Sequence, residues 1–247
     1  MTRKRFFRSA TVVALLAAPP VVHGQVPTSG TVRESESGTP FPVVMTPPGA
    51  TTSHRLMGTG IREATLFKVN VYAFGLYVDA AGARAALAAF TGRQAVVLLR
   101  DARFNRRLLD LDFGMALRLV MTRTVDGSDV ADAFDDALRP RMGNEGPALA
   151  RLRRYLGVDA VRRGTEVVFA CDAAGRMTIR VGEAEQPPFA SRALCRALFD
   201  VYLGEDPISR DGRRDIVAGF AAWVAAGKRS ASPDSTFGGR RSPRTPE

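Results

Sequence analysis

The sequence predicts an α+β fold: an antiparallel sheet with helices gathered over it. Three observations predict it. Residues 112–122 alternate, with Phe113, Met115, Leu117, Leu119 and Met121 on one side and Asp112, Gly114, Ala116, Arg118 and Thr122 on the other. That is the period of a strand with one buried face. Two β-rich runs flank Asp172-Ala173-Ala174-Gly175, which is hairpin chemistry. Much of the rest carries apolar residues at helical spacing, between and after the strands. Strands and helices that do not alternate regularly favour helices segregated onto one face of an antiparallel sheet.

The N-terminus reads as an export signal. Arg3, Lys4, Arg5 and Arg8 precede an apolar run, Ala10–Ala18. That run is far short of the roughly 20 residues needed to span a bilayer. Pro19 and Pro20 break it, and Val22-His23-Gly24 offers a cleavage site before Gln25. Residues 1–24 are therefore expected to be removed, and the product to be periplasmic or secreted. Residues 25–52, rich in Pro, Gly, Ser and Thr, read as an extended lead-in. The folded domain is expected over 53–227, followed by a polar, Pro/Gly/Ser-rich tail at 228–247.

Within the domain, Leu66–Val78 is rich in β-branched and aromatic residues and predicts a strand. Val96–Leu99 predicts a short apolar strand, and Asp112–Thr122 a long one. Ser128 is placed to cap a helix with Val130, Ala133, Phe134, Ala137 and Leu138 on one face, ended by Pro140. Ala148, Leu149, Leu152, Tyr155 and Leu156 mark a second helix. Thr165–Cys171 and Met177–Val181 form the predicted hairpin. Ser191 caps a third helix, with Leu194, Leu198 and Tyr202 on one stripe and Gly204 closing it. Ile216, Phe220, Trp223 and Val224 mark the last.

Composition narrows the function. The chain has 247 residues and a formal net charge of +10. Much of that surplus sits at the two ends, and the core shows no basic cluster or recognisable nucleic-acid module. Nucleic-acid binding is therefore not expected. Two histidines, His23 and His54, argue against a histidine metal centre, and no cofactor motif is present. Export would permit a bridge between Cys171 and Cys195. A strand cysteine and a helix cysteine read more simply as two buried free thiols.

The informative stretch is Leu56–Asp79, LMGTGIREATLFKVNVYAFGLYVD. Gly58 and Gly60 allow a close backbone approach or positive φ. Arg62 follows in an otherwise apolar strand setting, where a guanidinium must be paired or reserved for an anion. Tyr72 lies roughly 33 Å away if the chain is one extended strand. Only a hairpin turn near Phe67-Lys68 would bring the two together. Spacing alone equally allows an Arg with its head at the surface and a Tyr in the core.

GTGIREATLFKVNVYAFGLYVD resembles the signature of the chalcone isomerase-like family, and NVYAFGLYVD resembles its plant fatty-acid-binding branch. LRLVMTRTVDGSDVADAFDDAL and LCRALFDVYLGEDPIS are similar to later segments of that family, so the likeness spans about 54–225. The resemblance implies an open-faced β-sandwich, a large antiparallel sheet under a helical layer. It implies that Arg62 matches an arginine shared by both branches. In the isomerases that arginine works with a Thr, a Tyr, an Asn and a Thr or Ser. Here those positions fall on Tyr72 and near Val130, Ala137 and Val201. Val and Ala cannot replace hydrogen-bonding groups. In the fatty-acid-binding branch the arginine and a tyrosine hold a carboxylate, and Arg62 and Tyr72 match that pair, although the spacing between them is shorter by about three residues.

The resemblance thus implies, for a chain whose N-terminus reads as an export signal, a non-catalytic protein with no cofactor. It binds a fatty acid or similar lipophilic carboxylate through Arg62 and Tyr72. An isomerase of the chalcone isomerase type on another substrate, and an interaction domain with a collapsed pocket, are the alternative expectations.

Overall fold

In the computed structural model, residues 30–64, 69–143, 146–157 and 160–229 are described. Among the described residues, seven strands form one antiparallel sheet whose spatial order is their chain order. Its centre is β4 (His54–Ala64), β5 (Val69–Asp79), β6 (Met115–Met121) and β7 (Glu166–Cys171). The predicted hairpin is β7 with β8 (Arg176–Val181). A further strand, β9 (Ala184–Ala190), contains Pro187 and Pro188 and lies at the sheet edge. Proline lacks the N–H that an inner strand must donate, so only an edge accommodates it. β3 (Val44–Met45) forms the other edge.

Alternation along β5 sorts its side chains. Tyr72, Phe74, Leu76 and Val78 join the main core under the helices, and Ala73 and Tyr77 face the other way. That second face is covered by the lead-in. β1 (Thr31–Arg33) and β2 (Pro40–Pro42) pair as a ribbon, and Phe41 is fully buried against Ala73, Tyr77 and Ala116. Tyr77 donates to the Pro42 carbonyl at 3.0 Å, and the Arg118 guanidinium lies 5.0 Å from the Phe41 ring centre. Of the lead-in, residues 30–52 are described, and they pack on the sheet.

Helices α1 (Ala80–Ala86), α2 (Ala95–Leu98), α3 (Ala102–Leu109), α4 (Gly127–Met142), α5 (Gly146–Leu156), α6 (Arg192–Leu203) and α7 (Arg210–Arg229) make up the helical layer. No described helix is long and apolar enough to cross a membrane. Ser191 caps α6 by accepting from the Leu194 amide at 3.1 Å, and Gly204 closes it.

Three sequence expectations need correction. The short strand at Val96–Leu99 is helix α2; Val96 and Val97 are exposed and only Leu98 is buried, so there was no strand alternation to read. Ser128 is not the cap of α4, which starts at Gly127 after Asp126 and runs two residues past Pro140 to a Gly143 with φ of 61°. Cys171 and Cys195 are not free thiols but a disulfide, with Cα atoms 6.1 Å apart. Their separation of 24 residues gives a loop whose closure stabilises the fold by about 3.5 kcal/mol in the chain-entropy account. The bridge ties the first turn of α6 to the end of β7. Only the fold brings those two positions together.

The glycines of β4 serve close approach. Neither Gly58 nor Gly60 has positive φ. A Cβ on Gly58 would lie 2.5 Å from the Ile216 nitrogen, and one on Gly60 would lie 2.7 Å from the Gly212 Cα. On the helix side, a Cβ on Gly219 would fall on the Met57 carbonyl oxygen. The backbones of β4 and α7 therefore touch, and the Thr59 amide donates to the Asp215 carboxylate at 2.7 Å. Because backbone obstructs the added methyl, no rotamer change relieves it. Gly219→Ala is expected to cost about 1–3 kcal/mol, lowering the thermal midpoint by roughly 2–12 °C. A midpoint equal to wild type in a melting experiment would show that the two elements are not in backbone contact.

Candidate functional site

The site starts from one register. β4 and β5 pair antiparallel with Arg62 opposite Tyr72, just before a register irregularity at Arg62/Glu63. Directly opposed residues point to the same face of a sheet. The last described pair is Ala64↔Val69. The turn expected near Phe67-Lys68 lies outside the described residues.

Arg62 and Tyr72 both line a cavity of about 200 Å³ between the sheet and the helical layer. Val130, Ala133, Phe134 and Ala137 of α4 form one wall. Their spacing of three and four residues sets them on one helix face. Val201 and Tyr202 of α6 and Ile208 just beyond it form another. The lining is mostly apolar, with Val130, Ala137 and Val201 contributing to it, and Asp129 at the start of α4 adds a carboxylate.

Three of the polar groups, Arg62, Tyr72 and Tyr202, come together across the two layers. The Tyr72 and Tyr202 hydroxyls lie 2.9 Å apart and share a hydrogen bond. Both phenols are buried, at 8% and 1% exposure, and burial pushes both pKa values up; the nearby Arg62 charge works in the opposite direction. Both therefore remain protonated donors at ordinary pH. Tyr202 also packs edge-on against Phe74, with ring centres 4.9 Å apart. In the sequence Tyr202 is one residue of a helix stripe with Leu194 and Leu198. Its polar role depends on a contact across 130 residues.

Arg62 is half-buried and, among the described residues, its guanidinium has no ion pair or hydrogen bond. Arg118, Arg139 and Arg141 are each held by a carboxylate, on Glu166, Asp135 and Asp200 respectively. Arg62 also reaches a larger open cleft of about 520 Å³ bounded by β4, the β1 region and the start of α7. It thus stands between the inner cavity and solvent. The arrangement offers a cation and phenolic donors beside apolar lining, suited to an anionic head on an apolar body. Among the described residues there is no cluster of three or more His, Cys, Asp or Glu able to hold a metal.

Comparison with known proteins agrees with this architecture. Residues 52–217 match the family model described as chalcone isomerase like. A chalcone–flavanone isomerase of Zea mays is 26% identical over 200 residues, which is 75% of this chain and 87% of that protein. Fatty-acid-binding protein 1 of Arabidopsis thaliana is 24% identical over 202 residues, 77% of this chain and 71% of that protein. The crystal structure of an Arabidopsis thaliana fatty-acid binding protein superposes with a TM-score of 0.70 at 22% identity, covering 80% of this chain and all of that one. That likeness is one of fold, and the sequence match over two thirds of the length carries the kinship: the chain belongs to the chalcone isomerase-like family.

Proposed function

We propose that this protein is a non-catalytic binder of a fatty acid or similar lipophilic carboxylate, acting outside the cytoplasm. One observation carries the reading. Arg62, with no carboxylate in ion-pair distance among the described residues, faces Tyr72 across a strand pair at the edge of a mostly apolar cavity. A guanidinium grips a carboxylate through two N–H groups, and a phenol adds a further donor. Burying the chain contributes about 0.8 kcal/mol per methylene. Relatives that are named fatty-acid-binding proteins support the ligand class.

Arg62→Ala is expected to weaken binding of a fluorescent fatty acid ten-fold or more, because the ligand charge loses its partner in a low-dielectric site. Tyr72→Phe removes one hydroxyl and should cost on the order of 1 kcal/mol. Methyl esters should bind poorly to wild type and hardly distinguish it from Arg62→Ala. A titration in which Arg62→Ala binds the acid as tightly as wild type would dispose of the clamp.

The same lining argues against chalcone cyclisation. Other relatives are chalcone–flavanone isomerases. At the positions where that resemblance calls for hydrogen-bonding groups, Val130, Ala137 and Val201 can neither donate nor accept. Loss of chalcone absorbance in the presence of the protein should match the spontaneous rate. Acceleration well above it, abolished by Arg62→Ala, would make the protein an isomerase.

Export rests on the basic start, the short apolar run and the small-residue site before Gln25. The Cys171–Cys195 bridge is of the kind that persists in oxidising compartments. Protein recovered from the producing cell should begin near Gln25 and show no free thiol on denaturation. An intact N-terminus on the secreted pool would refute this.

A further inference from the structure

Tyr72 and Tyr202 carry two hydroxyl protons between them, and the bond they share uses one. Their mutual hydrogen bond uses one O–H and one oxygen. Among the described residues neither hydroxyl has another hydrogen-bond partner. The second proton is left for the cavity that both residues line, whose walls are apolar apart from Arg62 and the Asp129 carboxylate of α4. A buried donor without an acceptor is costly and uncommon. Beside it stands Arg62, whose charge acts on both phenols. The three groups offer donors and a positive charge to the same place.

We infer that Tyr202 is a headgroup-positioning residue, donating to Tyr72 so that Tyr72 donates its own proton to a ligand oxyanion held by Arg62. The inference rests on the carboxylate reading above and extends it to a residue on the helical layer. The direction follows from position. Tyr72 is the phenol directly opposite Arg62, so it is the one that reaches an anion gripped there. A hydroxyl that accepts a hydrogen bond is a stronger donor, so the two phenols act cooperatively. Tyr202 is held for this task by its edge-on contact with Phe74. α6 is anchored by the Cys171–Cys195 bridge at one end and by the Arg141–Asp200 ion pair, 2.9 Å, near the other. The relay prefers a ligand whose head is an anion rich in acceptors and discriminates against its ester.

The test uses decanoic acid and methyl decanoate with the purified full-length protein, Tyr202→Phe, Tyr72→Phe and the double variant, with binding measured by calorimetry. Tyr202→Phe should weaken decanoate about three- to ten-fold and leave the ester unchanged, so the acid-to-ester preference falls. The two single effects should not add, because Tyr202 works through Tyr72. Equal loss for acid and ester, or strict additivity, would make Tyr202 a packing residue and overturn the inference while leaving the carboxylate reading intact. Failure of wild type to bind decanoate or any longer acid would overturn both. Wild type gives a second reading that no folding defect can spoil. Decanoate, and not its ester, should perturb the tyrosine difference absorption, and an unchanged spectrum on saturation with decanoate would also overturn the relay.

Discussion

The register between β4 and β5 is the constraint on which the rest depends. Side chains on a strand alternate faces, so a slip of one residue would move Arg62 out of the cavity and carry Ile61 or Glu63 towards it. Backbone contact with α7 pins the register. Gly58 and Gly60 are the β4 residues that face the helix, and their missing Cβ atoms leave room for Ile216 and Gly212. After a slip, Thr59 or Ile61 would present a Cβ to that helix instead. The Thr59 amide, bonded to Asp215, adds a directional link between the same two elements. The G-x-G that precedes Arg62 is therefore a packing device, and its effect on the site is indirect: it decides which face the arginine occupies.

A second set of ties fixes the opposite wall. α4 and α6 meet over the cavity, and the Arg141 side chain joins them by donating to the Ala137 carbonyl at 2.7 Å and pairing with Asp200. The disulfide holds the start of α6 to β7. These ties set the spacing between Val130, Val201 and Tyr202, and so the shape of the apolar space. Sheet and helical layer each supply one phenol to the hydrogen-bonded pair. The polar end of the cavity forms only when both layers are in place.

The chemistry of the site follows from what it lacks as much as from what it holds. With Val and Ala on the walls, the polar lining is Arg62, Tyr72 and Tyr202 together with Asp129 of α4. Such a site can orient a charged head and bury an apolar body. It has few groups with which to position the separate oxygens of a polyphenol. Members of one family can differ in this way because the sheet and its helical cover set the cavity, while a few wall positions set the chemistry.

Alternation in residues 112–122 and the turn at residues 172–175 were enough to predict an antiparallel sheet, and helical spacing placed α4 to α7. These signals are local, because a side chain's face follows from its neighbours in sequence. Val96–Leu99 misled because a short apolar run has no period to distinguish strand from helix. β9 was hidden by Pro187 and Pro188, which only its edge position tolerates. Arg62 and Tyr72 stood out in the sequence as residues, but the sequence left open whether they share a face. That answer needed the pairing of β4 with β5. The partnership of Tyr72 with Tyr202, the bridge between Cys171 and Cys195, and the burial of Phe41 under the sheet were decided by tertiary structure alone. Each joins chain segments by packing rather than by spacing, and no local pattern records such a contact.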